Sequence, residues 1–154
     1  MDAHEWQSSP HARTHGSDQR PPRDLYVAFR AFDVGDLAAR LIAEPAFQTD
    51  GRNSETVHDD GRVRVLVTVV AAGREIGAER SDGYVTLSMI QGAGSLARGD
   101  GDHAQLRSGT TAILAPGASW TLCADDTSIL MAYFWTAGDP DEAAGTDSSR
   151  GAFA

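Results

Sequence analysis

The sequence predicts an all-β domain, a sandwich or a barrel, and three observations carry that reading. From Arg62 onward seven short runs rich in β-branched and aromatic residues follow one another, each bounded by Gly, Asp or Pro. Only one stretch before them has helical spacing. The 154 residues show no internal repeat and carry 41% apolar residues, enough to fill a single core.

Residues 1–24 are polar and end in "RPPRD", where paired prolines deny the backbone a helix, so this lead is expected to be disordered. It holds His4, His11 and His15, whose spacings mean little without a helix to align them. The domain is expected over residues 25–136. In "VGDLAARLIAEPAF", Leu37, Leu41 and Ile42 recur at helical spacing, Asp36 is a candidate N-cap, and Pro45 ends the helix. The strands are read from "RVRVLVTVVAAG", "YVTLSMIQG", "GSLARG", "DHAQLRSG", "TAILAPG", "SWTLCADD" and "TSILMAYFW". "ARGDGDHAQ" is read as a hairpin turning at Asp100-Gly101. Residues 137–154 turn small, polar and acidic again, and are expected to form a second disordered tail.

Composition excludes several kinds of chemistry. The net charge of −9 and the absence of any arginine cluster argue against nucleic acid as a direct partner. All thirteen basic residues are arginine, so no lysine is available for a Schiff base or a phosphate-binding loop. Cys123 is alone, which rules out an internal disulfide and fits a cytoplasmic setting. No apolar run approaches the roughly 18 residues of a membrane span, so no membrane partner is expected.

One stretch has more specific spacing. From Gly73 to Gly92, "GREIGAERSDGYVTLSMIQG" opens and closes on glycine around an alternating apolar run. With the short helix before it and "LRSGTTAILAPGASWTL" after it, the chain over residues 34–136 resembles the small single-domain cupins of the RmlC-like type. The resemblance implies a jelly-roll β-barrel with a short N-terminal helix and a dimer formed through sheet contacts. The family's first motif is glycine, five residues, histidine, one, histidine, three or four, glutamate, six, glycine. Counted from Gly73 it falls on Glu79, Ser81, Val85 and Gly92. The second is glycine, five, proline, one, glycine, two, histidine, three, asparagine. From Gly109 it falls on Ala115, Gly117, Trp120 and Ala124, with Pro116 one place from the expected proline. The 16 residues from Ala93 to Ser108 separate the two motifs.

The resemblance implies four metal ligands at Glu79, Ser81, Val85 and Trp120, of which only Glu79 carries a good donor. First-row metals at imidazole-rich sites take about three or four ligands, so neither a metal nor another cofactor is expected. Arg80, one place out of frame, cannot ligate. His58, in a polar loop before the first long strand, and His103, at the hairpin, lie off the frame and read as surface histidines.

Strand alternation anchored on these positions turns Val85, Leu87 and Met89 inward from one strand and Trp120 and Leu122 from another, with Tyr84 and Cys123 outward. Glu79, Arg80 and Ser81 then stand at the barrel mouth. Two readings of this set stay open. Its apolar walls and few polar groups suit a ligand-binding pocket, or the same side chains close the barrel as core. Trp120 decides between them, because an enclosed indole fills space and needs a partner for its N–H. Gln91 and Tyr133 are further polar positions, and Cys123 has no nearby base that would make it a nucleophile.

The function this supports is a metal-free small-molecule-binding or accessory and regulatory protein, with a small molecule in the barrel. Two alternatives remain: a cofactor-independent isomerase, cyclase or lyase with Glu79 as the catalytic base, and a metal-dependent cupin oxygenase or isomerase with unusual ligands. Barrels of this kind host many unrelated functions, so the fold selects none of them.

Overall fold

A computed structural model describes residues 24–78, 81–99 and 101–136; the two expected tails, apart from Asp24, lie outside this range. Helix α1 spans Val34–Ala43 and places Ala38 and Leu41 fully in the core. Its N-cap is Asp33, whose carboxylate accepts the Asp36 N–H at 2.8 Å, so the expected cap at Asp36 is corrected. Asp36 instead lies in the first turn, where its charge favours the helix dipole. Pro45 does end α1, but it also starts a second helix, α2 (Pro45–Asp50), because a first helical position needs no N–H.

Nine strands follow among the described residues: β1 (Arg52–Asp59), β2 (Val63–Val70), β3 (Glu75–Ala78), β4 (Val85–Gln91), β5 (Ala93–Arg98), β6 (His103–Arg107), β7 (Thr111–Leu114), β8 (Trp120–Ala124) and β9 (Ser128–Trp135). The seven expected strands are β2 and β4 to β9. Two more, β1 and β3, were hidden from a reading based on apolar alternation. In β1 the buried residues Asn53, Ser54 and Glu55 are polar, and packing under the helices satisfies them. Asn53 Nδ2 donates to the Leu41 carbonyl at 3.0 Å and to Glu44 Oε2 at 2.9 Å, while Glu55 pairs with Arg40. His58 therefore lies in a strand and not in a loop. His103 opens β6 and is exposed.

The strands form two antiparallel sheets, ordered β1-β2-β9-β4-β7 and β3-β8-β5-β6. Alternation along β2 shows how they are used. Val65, Val67 and Val69 pack with α1 and α2 on the outside, while Leu66 and Val70 face the space between the sheets. That inner space holds one continuous cluster, including Leu87, Met89, Leu96, Leu106, Leu122 and Leu130. The helices cover the outer face over β1, β2 and Ile129 and Met131 of β9, while Ile113 of β7 and Trp135 at the end of β9, on that same face, and Tyr84 just before β4 remain exposed. β5 and β6 pair as the expected hairpin, with Gly101 at φ 105° in its turn; Asp100 lies outside the described residues. No helix among the described residues is long and apolar enough to cross a membrane.

Candidate functional site

The two expected motifs meet at one end of the barrel, and the strand register shows why. On the five-stranded sheet Arg64, Phe134, Val85 and Leu114 are cross-strand partners in one row. On the four-stranded sheet Ala78, Trp120 and Arg98 form another. Short connections join Ala78 to Val85 and Leu114 to Trp120, so both rows belong to the same end. The two connections are tied by the Gly117 N–H, which donates to the Ser81 carbonyl at 2.6 Å.

Val85, Leu87 and Leu122 are 0% exposed, Met89 and Ser81 1%, and Trp120 6%. In this conformation a ligand would find almost no surface on them except at Trp120. The Ser81 hydroxyl donates to the Gly83 carbonyl at 2.8 Å, so its hydrogen bond is local. Glu79 and Arg80 lie outside the described residues. Tyr84 is exposed, Cys123 is an exposed free thiol, and Gln91 is exposed. Tyr133 is half-buried with its hydroxyl against the Met131 sulfur at 3.8 Å.

Two buried nitrogens at this end have no hydrogen-bond partner among the described residues: Trp120 Nε1 and Arg64 Nε. Such orphans are rare in folded proteins and each calls for a physical reason. Arg64 shares its side of β2 with Leu66 and Val70 and so points between the sheets. Its Nη2 donates to Thr56 Oγ1 at 3.2 Å, and it has no ion-pair partner among the described residues. The sequence reading passed over Arg64. The available signal was an arginine at an inward position of "VRVLVTVV", in phase with Leu66 and Val70.

The described residues at these positions do not fit a divalent transition metal. Valine has no donor atom, the indole nitrogen of Trp120 only donates, and Ser81 is enclosed and locally bonded. No group of three His, Cys, Asp or Glu side chains that could hold a metal ion occurs among the described residues.

A separate cleft of about 340 Å³ crosses β3, β8 and β5, with Glu75, Gly77, Ala97 and Thr121 along it and Arg52 at one edge. These four occupy outward strand positions, in antiphase to the core residues Leu96 and Leu122. Among the described residues singled out from the sequence, Trp120 also contributes to this cleft. Arg52 Nη1 donates to the Glu75 carbonyl at 3.2 Å and closes its edge.

Known structures share the overall architecture. A cupin superfamily protein from Desulfitobacterium hafniense superposes with a TM-score of 0.53 at 13% identity, over 56% of this chain and 78% of that one. A conserved protein of unknown function from Streptococcus pyogenes gives 0.57 at 15%, over 79% of this chain and 99% of that one. Salicylate 1,2-dioxygenase from Pseudoaminobacter salicylatoxidans, in adducts with gentisate, gives 0.61 at 14%, over 85% of this chain but 39% of that longer one. No protein-family model and no curated protein matches the sequence. At these identities the likeness establishes the fold: a cupin-type jelly roll with a short helix near its N-terminus.

Proposed function

We propose that this cupin-fold chain is a metal-free small-molecule-binding or accessory protein whose ligand site lies at the barrel end closed by Trp120. The observation that carries this reading is the pair Val85 and Trp120. They occupy two of the positions where the resemblance implies metal ligands, and both are packed into the inner cluster without a ligating atom. A barrel furnished this way has lost the donor set for metal chemistry while keeping polar groups at one end. The cupin fold itself is compatible with an oxygenase as well as with a binding protein, so the side chains, not the fold, support the choice.

Native mass spectrometry of the untagged chain tests the proposal. It reports subunit number, where the resemblance implies a dimer, together with bound metal and any co-purified organic molecule. A metal-free protein carrying an additional small organic mass supports the reading. One transition-metal ion per chain refutes it.

A further inference from the structure

The two orphaned donors at the barrel end invite a common explanation. Arg64 Nε and Trp120 Nε1 come from opposite sheets, both from inward positions, and both from rows at the same end of the barrel. We propose that this end of the barrel binds a small monocarboxylate with an apolar body, whose oxygens accept from Arg64 Nε and Trp120 Nε1. This rests on the reading of the barrel end as the ligand site and names the chemistry that site takes.

The choice of a carboxylate follows from charge and shape. Arginine keeps its charge at any ordinary pH, and a half-buried guanidinium with its Nε enclosed and no ion pair among the described residues favours an anion over a neutral acceptor. The bond from Nη2 to Thr56 Oγ1 fixes the plane of the Arg64 fork and leaves the Nε edge uncommitted. A planar carboxylate matches that edge. Among the described residues, the guanidinium in the facing row, that of Arg98, is held by Asp102 at 2.8 Å and is not free to meet a second negative charge on the ligand. A single charge therefore fits better than the double charge of a phosphate monoester. The rest of the inward surface is Val85, Leu114 and Phe134, which suits an apolar substituent.

Both orphaned nitrogens are almost fully shielded from solvent, so the ligand enters only when this row shifts. The free protein bears two unmet donors, and the acceptor relieves both. Binding should accordingly be slow to form and raise the melting temperature.

The test is a titration of the ¹⁵N-labelled full chain with sodium benzoate, followed at the tryptophan indole N–H resonances, with benzamide as the neutral isostere. The chain has three tryptophans, Trp6, Trp120 and Trp135, and the spectrum of Trp120→Phe identifies the resonance of interest. The expected result is a saturable shift of the Trp120 indole signal with benzoate, and binding of benzamide weaker by roughly tenfold or more. Arg64→Gln should weaken benzoate to the level of benzamide; the comparison of the two probes on the unaltered chain stands even if that variant folds poorly. Equal binding of benzoate and benzamide would overturn the carboxylate assignment while leaving a binding function in place. An indole signal that ignores benzoate up to about 10 mM would overturn it as well. So would a signal that moves in Glu79→Gln but not with benzoate, since the acceptor would then be the chain's own carboxylate.

Discussion

If the indole N–H of Trp120 is unsatisfied, replacing Trp120 with phenylalanine should cost the ligand-free protein very little. The substitution removes part of a side chain that is 94% enclosed, from 6% exposure, and leaves a void of about 40 Å³. At about 24 cal/mol per Å³ that void costs about 1 kcal/mol, and the lost transfer energy of the missing ring atoms costs about 1 kcal/mol more. Against this, deleting a buried donor without an acceptor returns about 1–3 kcal/mol. The net change should therefore fall within about 1 kcal/mol of zero. Had the N–H been bonded, the same change would lose the hydrogen bond as well and cost about 3–4 kcal/mol. Urea unfolding followed by circular dichroism distinguishes the cases, provided the slope is unchanged so that the midpoint reports stability. A loss above about 3 kcal/mol would refute the claim that Trp120 is an orphaned donor, and with it the main support for the barrel-end site.

Further expectations test other parts of the structure. Leu122→Ala and Leu87→Ala, both at residues with 0% exposure, should each cost about 2–5 kcal/mol in urea unfolding; losses below about 1 kcal/mol would mean the space between the sheets is not packed. Gly92 and Gly101 share a positive φ, but a Cβ at Gly92 would sit 2.4 Å from Ser128 Oγ and 2.9 Å from Ser128 Cα, whereas Gly101 faces open space. Gly101→Ala should lose about 1–2 kcal/mol from backbone strain alone, and Gly92→Ala distinctly more, as compared by thermal unfolding. The Asp60 carboxyl is lowered to about 2 from an ordinary 3.8, first by the Val63 N–H, then by the Arg62 N–H, with His58 adding to both. A depressed folded pKa stabilises above the unfolded value and that contribution fades as pH falls from about 4 through about 2. Asp60→Asn should therefore melt below the unaltered protein at pH 7, and the gap should close near pH 2; a gap independent of pH would contradict this account.

Much of the fold was legible because its signals are local. The helix at residues 34–43 and the seven strands with apolar alternation all stand where periodicity and turn residues put them. The inward and outward positions of β4 and β8 followed from the same period of two, and the exposures of Val85, Leu87, Met89, Trp120 and Leu122 match it. β1 was missed because its buried side chains, Val57 apart, are polar. Asn53 and Glu55 are acceptable inside only because Leu41, Glu44 and Arg40 on α1 and its cap meet them, and that partnership spans 9 to 15 residues of sequence. β3 was missed because it has four residues, one of them Gly77, whose missing Cβ leaves room for the Trp120 carbonyl of the neighbouring strand. Of the candidate site, Trp120 and Val85 were singled out by the motif frame of the family resemblance, and Arg64 was not, because one arginine in an apolar strand has no local mark of its partners.

By itself, then, the sequence determined the class of the fold, its likeness to the cupins, the side of each long strand that faces the core, and the poverty of metal-binding donors at the motif positions. These depend on residue types at fixed short intervals. Tertiary structure alone decided that Arg64 and Trp120 stand at the same end of the barrel, that Arg64 Nε and Trp120 Nε1 lack an acceptor among the described residues, and that Arg98 is already engaged with Asp102. Hydrogen-bond satisfaction and charge pairing depend on distances between groups brought together from different strands. Those distances exist only once the two sheets have closed on each other.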